Sequence, residues 1–190
     1  MARSPAPLTL KGKALQLLSA RDYTRAEMQR KLALWVRQQA QRAATAANLQ
    51  SQHPALSVQA SAMSDCEETL VQQQHADIQT VLNHMEDLGF LSDARAAESL
   101  VHRRSSRLGN RRLQQELRQK GLDADTIADA MHHAGSELER AQHTWQRKFG
   151  TLPQTPQERL KHMRFLAQRG FGADTVRRVL QQRDDDGLWE

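Results

Sequence analysis

The chain has 190 residues, with 27 Lys and Arg against 22 Asp and Glu for a formal charge of +5, and only 38% hydrophobic and 4% aromatic residues; its mean hydropathy is −0.74. That apolar content is too small for one broad core, so thin helical layers fit better than a compact α/β domain. No window reaches the roughly 18 consecutive apolar residues that a membrane span needs, residues 1–18 lack the apolar stretch and cleavage site of a signal peptide, and Cys66, the only cysteine, excludes an intramolecular disulfide framework or a multi-cysteine metal site.

The expectation is therefore a cytoplasmic protein without a membrane partner, with Cys66 a buried or bystander thiol. Runs of alternating β-branched or aromatic residues between turn dipeptides are missing, whereas helical spacing recurs throughout. After a tail over residues 1–9, Ala14, Leu15, Leu17 and Leu18 form an apolar stripe that predicts a first helix over 11–20. Met28, Leu32, Trp35 and Val36 form a second stripe, preceded by Thr24-Arg25-Ala26-Glu27. That tetrad is a capping box: the Thr hydroxyl accepts from the third helical N–H and Glu27 reaches back, which places a helix start at Thr24. Residues 38–64 hold 6 Gln, 8 Ala and 4 Ser, the composition of an exposed insertion. Ala and Gln favour helix, so 38–50 can prolong the second helix before Pro54 interrupts it, and much of 48–64 is expected to be mobile. A third helix over about 66–88 carries Val71, Ile78, Val81, Leu82, Met85 and Leu88 on its inner stripe and closes at Gly89. Thr155-Pro156-Gln157-Glu158 repeats the capping box, with proline at the first helical position, where its missing N–H is harmless.

Self-comparison is more informative. Residues 117–131 align without gaps on residues 166–180, an offset of 49. Leu, Gln, Gly, Ala, Asp and Thr are identical at 117/166, 119/168, 121/170, 124/173, 125/174 and 126/175, while Leu122/Phe171, Ile127/Val176 and Met131/Leu180 stay apolar. Each copy reads as a helix closed by a basic residue and a left-handed Gly, a turn over an apolar anchor, and a new helix with Asp in its first turn. Ala97, Leu100, Val101 and Leu108 supply a helix upstream of the first copy, and Ala141, Trp145 and Phe149 one upstream of the second. The Trp145 and Phe149 spacing fits core packing better than base stacking. The predicted fold is all-α, an elongated tandem array of three-helix repeats over 10–90, 91–135 and 136–183, followed by an acidic tail over 184–190.

Charge follows this division. Residues 1–37 hold 8 basic and 2 acidic side chains, 95–120 hold 8 and 2, and 145–183 hold 9 and 2, whereas acids dominate 38–94, 121–144 and the tail. Three discrete positive patches can follow phosphates or an acidic partner's groove. The candidate contact residues are Arg103, Arg104, Arg107, Arg111, Arg112, Arg118 and Lys120, then Arg164, Arg169, Arg177 and Arg178. Arginine forks suit phosphate and carboxylate alike, so these residues alone do not separate nucleic acid from an acidic protein surface. Phosphate-cradling Gly-rich loops, a nucleophile elbow and an H-E-x-x-H pair are all lacking. The expectation is a non-enzymatic chain with no cofactor, no metal and no catalytic residue; Asp184, Asp185 and Asp186 read as a solvated tail rather than a cation site.

The run Leu88-Gly89-Phe90-Leu91-Ser92-Asp93-Ala94-Arg95, the stretch from Gly109-Asn110-Arg111-Arg112 to Lys120-Gly121, Arg169-Gly170-Phe171, and the opening Ala14-Leu15 with Tyr23-Thr24 through Glu27 and Lys31-Leu32 resemble the RecX family of bacterial recombination regulators. The resemblance covers about residues 10–36 and 75–182, in family order. It implies an array of three-helix units that binds the RecA recombinase filament on single-stranded DNA, along its groove, as a monomer. It further implies restraint of RecA's ATP hydrolysis, strand exchange and co-protease activity. Two departures stand out: Ala96 where the family usually has Phe, and the long 38–64 insertion. Alternative readings are a stand-alone helix–turn–helix binder of duplex DNA, with residues 125–131 or 174–180 as recognition helix, and a helical scaffold with no RecA dependence. Asp125 and Asp129 weigh against the first, since they would repel phosphates.

Overall fold

The computed structural model describes residues 8–50 and 60–181, with side chains for 8–46 and 71–181. The described residues form helices α1 (Leu10–Leu18), α2 (Arg25–Gln50), α3 (Ala60–Asp87), α4 (Asp93–Arg104), α5 (Asn110–Gln119), α6 (Ala124–His132), α7 (Glu137–Lys148), α8 (Pro156–Gln168) and α9 (Ala173–Gln181), and no strand. The fold is all-α, a tandem set of three-helix repeats. None of the described helices is long and apolar enough to cross a membrane. The tail up to residue 7, the Pro54 interruption and the acidic tail lie outside the described residues, as does the Cys66 side chain.

The described residues up to Ser92 form one compact unit. Its α2 begins where the capping box places it: the Glu27 N–H donates to Thr24 Oγ1 at 3.1 Å and the Thr24 N–H to Glu27 Oε2 at 3.4 Å. Ala14, Tyr23, Met28, Leu32, Ile78, Leu82, Met85 and Leu91 build the core. Arg25 spans α2 and α3, donating to Gln79 Oε1 at 2.9 Å and Asn83 Oδ1 at 2.6 Å and pairing with Glu86. Two ends of the predicted α3 stripe are solvent-facing, Val71 at 63% and Leu88 at 51% exposure. The nine-residue α1 is too short to cover both halves of a 28-residue helix, and Leu88 follows the last helical residue. Leu15 is exposed for a related reason: it lies one residue, about 100° of helical turn, from buried Ala14. Of the segment 48–64, residues 48–50 are the end of α2 and 60–64 the start of α3, while 51–59 lie outside the described residues. Ala, Gln and Met sustain helix there in spite of low apolar bulk.

The described residues from Asp93 onward form the second unit. Its α4–α6 enclose Ala97, Leu100, Val101, Leu113, Leu117, Leu122, Ile127, Ala130 and Ala134. Its α7–α9 enclose Ala141, Leu166, Phe171, Val176, Val179 and Leu180. Leu108, read as part of the upstream helix, lies beyond the end of α4 but still packs on this core. Ala96, at the position where the family usually has Phe, is buried. The two aligned segments form the same turn. Gly121 and Gly170 have φ of +84° and +82°, the Leu122 N–H donates to Leu117 O and the Phe171 N–H to Leu166 O, and both anchors are buried. This is the Gly-closed C-terminus that the spacing predicts.

Candidate partner-binding surface

The second and third repeats meet through backbone. α5 begins at Gly109, a residue without a side chain to cap the helix, yet the first N–H groups of any helix need acceptors. The third repeat provides them. The Gly109 N–H donates to Arg169 O at 2.9 Å and the Arg111 N–H to Gly170 O at 3.2 Å. Between them the Asn110 N–H donates to Glu137 Oε1 at 2.7 Å. Glu137 therefore caps α5 from a helix 27 residues away, and its second oxygen accepts from the Thr175 hydroxyl at 2.8 Å. The approach is close enough that a Cβ on Gly109 would fall inside contact distance of the Gly170 carbonyl and the Phe171 nitrogen.

One turn along α7, Arg140 closes the same junction. Its Nη1 donates to Ser105 O at 3.1 Å and Leu108 O at 2.6 Å, and its Nη2 donates to Asn110 Oδ1. Burial draws its guanidinium below the ordinary range, opposed by the charge of Glu137, and its Nε is buried without a partner. A further turn on, the Thr144 hydroxyl donates to Ser106 O at 3.2 Å. The spacing 137, 140, 144 is one face of α7, and that face is polar because it seats on carbonyls left open where α4 ends.

The predicted basic residues sort into groups around this junction. Arg104 and Arg112 converge on Glu116, at 3.8 and 3.9 Å. Arg177 pairs with Asp174 at 3.2 Å. Arg103, Arg107, Arg111, Arg118, Arg164, Arg169 and Arg178 form no ion pair with a described residue. Arg111 and Arg118 lie at opposite ends of α5, roughly 10 Å apart along its axis, and Lys120 is its C-cap. Arg107 and Arg169 are brought together in one recess of about 370 Å³, with Arg147 and Lys148. Sequence reasoning left those two out of the candidate set although they lie in a basic block. Their position at the end of α7 reads as compensation of the helix dipole.

Behind the recess is an aromatic stack. His162 is buried, lies 3.7 Å from Phe149 ring to ring, and its Nδ1 accepts from Trp145 Nε1 at 3.2 Å. Burial pushes its imidazole below the ordinary value. Trp145 and Phe149 thus pack into the third repeat, as their spacing predicts.

Comparisons with known proteins follow the same divisions. Residues 92–131 match the profile of RecX, second three-helix domain, and residues 136–180 that of RecX, third three-helix domain. The chain is 37% identical over 187 residues to Regulatory protein RecX of Leptothrix cholodnii, covering 98% of this chain and 96% of that one. It is 33% identical over 182 residues to the Chromobacterium violaceum protein of the same name, covering 96% and 95%. A crystal structure of RecX from Lactobacillus salivarius superposes with a TM-score of 0.60 at 19% identity, over 92% of this chain and 94% of that one. With two family domains matched in order and near full-length relatives, the chain belongs to the RecX family of regulatory proteins.

Proposed function

We propose that this chain is a non-enzymatic, monomeric cytoplasmic regulator. It binds the RecA filament on single-stranded DNA and restrains its ATP hydrolysis, strand exchange and co-protease activity during recombination and repair. The observation that carries this reading is the relationship to RecX proteins along almost the whole chain. Electrostatics support it: Arg103, Arg107, Arg111, Arg118, Arg164 and Arg178 are exposed and form no ion pair with a described residue, which suits a surface bearing phosphates or carboxylates. Duplex readout by α6 is the weaker reading, since its exposed side carries Asp123, Asp125 and Asp129 and would meet phosphates with like charge.

The test is RecA-dependent ATP hydrolysis on single-stranded DNA. Added protein is expected to slow it at well under one copy per RecA protomer, with inhibition that saturates. Full hydrolysis in stoichiometric excess of the protein would overturn the proposal.

A further inference from the structure

We propose that the recess at the junction of the second and third repeats is a phosphate-recognition site for a single nucleic-acid strand. Its wall consists of Ser106 and Arg107 from the α4–α5 connection, Thr144, Arg147 and Lys148 from α7, and Phe165 and Arg169 from the end of α8. Four of these seven residues are cations and none is an acid. None of the four is in an ion pair with a described residue.

Dipole compensation accounts for only part of this charge. The C-terminal ends of α7 and α8 each bring about half a negative charge, so four cations leave a surplus of roughly three. That surplus has no counter-charge in the recess, and a partly enclosed cluster of like charges is relieved by an anion. The site is also held in shape before any ligand arrives. Thr144 Oγ1 bonds to Ser106 O and ties the two walls together, and Arg140 locks the same connection one turn earlier. Arg169 donates from Nη1 to Phe165 O at 3.3 Å, with its guanidinium 3.7 Å from the centre of the Phe165 ring. Arg107, Arg147 and Lys148 are exposed at the rim.

The mixture of groups favours a nucleic-acid strand over an acidic protein surface. A guanidinium 3.7 Å above the centre of an aromatic ring offers a stacking face for an unpaired base, and the cations and the Ser106 hydroxyl beside it suit the adjoining phosphate. A carboxylate would use the cations but not the platform. This deepens the function proposed above and rests on it only for the identity of the strand. An assay without RecA separates the failure of one from the failure of the other.

The experiment is fluorescence anisotropy of a labelled oligothymidylate titrated with the full chain at several salt concentrations. R147A/K148A is compared with R37A/R42A, which removes the same charge from exposed positions on α2. The R147A/K148A chain is expected to bind about tenfold more weakly, with a log K against log salt slope flatter by about 1.4, or about 0.7 for each phosphate that no longer meets a cation. R107A, on the opposite wall, should flatten it by about 0.7. R37A/R42A should match the parent chain, and circular dichroism melts of all variants should coincide. Four results would overturn the site: no binding by the parent chain at low salt, an equal loss in R37A/R42A, parental binding by R147A/K148A with inhibition of RecA intact, or parental binding by R147A/K148A with inhibition of RecA abolished. The last would give the recess to an acidic protein surface.

Discussion

Gly121 and Gly170 stand 49 residues apart at matching points of two turns whose backbones nearly coincide, with φ of +84° and +82°, yet their surroundings differ. After Gly121 the next helix is capped locally: Asp123 accepts from the Thr126 N–H and the Thr126 hydroxyl, both at 2.8 Å, and these bonds hold its carboxyl below the ordinary range. After Gly170 the matching position is Gly172, which has no cap to offer, and Thr175 donates to Glu137 instead. The carbonyls of Arg169 and Gly170 accept from Gly109 and Arg111. The second turn has exchanged its local cap for a role as socket, and the start of α5 is the plug. Duplicated sequence thus carries the turn, while docking between repeats draws on the partners Gly109, Glu137 and Arg140, which have no duplicate 49 residues away.

The sharpest way to break this comparison is to add a methyl group at each glycine in question. Gly109 has an ordinary φ of −78°, so its requirement is space rather than conformation. Gly109→Ala forces the repeats apart and strips acceptors from three helix-start N–H groups, for an expected loss of about 3 kcal/mol or more. Gly121→Ala meets chiefly the left-handed penalty, about 1–2 kcal/mol. Gly170→Ala combines both penalties, because its Cβ would sit 2.5 Å from Arg112 Cβ. Urea unfolding of the three variants checks the order. Equal losses for Gly109→Ala and Gly121→Ala would show that the plug is not seated.

The same contrast explains what was legible beforehand. Three-helix units, the offset of 49, both capping boxes and the buried anchors follow from local rules of helix ends and spacing. The Glu137 and Arg140 contacts do not. In sequence Glu137 is an acid in a helix's first turn and Arg140 an ordinary basic residue, and 49 positions earlier stand Leu88 and Leu91, so the repeat gives no hint of them. The insertion was half legible: Ala and Gln announced helix, but length alone could not say that α3 starts at Ala60. Arg147 and Lys148 do not stand out in the sequence because a basic last turn has a sufficient local explanation. Only the fold shows Arg107 and Arg169 beside them.

Arg140→Met tests the second part of the junction. It keeps an apolar stem of similar reach but leaves Ser105 O, Leu108 O and Asn110 Oδ1 without the guanidinium, for an expected loss of about 2 kcal/mol. The loss belongs to docking, so it should appear as earlier unfolding of α7–α9 while the Leu113 and Leu117 core persists. Hydrogen exchange of α5 gives the readout, since its Asn110 and Arg111 amides lose protection with the undocked Glu137 and Gly170. Uniform protection across the variant would place Arg140 outside the docking contact.

A smaller effect separates the two repeat cores by acid. Forty-nine residues before His162 stands Leu113, fully buried in the second repeat. His162 occupies the corresponding place neutral, because Nδ1 accepts from Trp145 and the ring lies against Phe149. Protonation would remove that acceptor and place a charge in the stack. Burial lowers its pKa, with Glu158 opposing and Lys161 adding to the shift. The unfolded chain, whose histidine titrates near 6.5, therefore takes up the proton at higher pH than the folded one, and stability rises with pH wherever that holds. The contribution is complete above about 6.5 and is lost as pH falls through the lower folded value. Melting temperatures at about pH 7.5 and about pH 5 should diverge more for the parent chain than for His162→Leu, which gives the third repeat the residue of the second. The other described histidines remain in both chains and cancel in the difference. An unchanged gap in His162→Leu would mean that acid weakens the two repeats alike, through groups other than this ring.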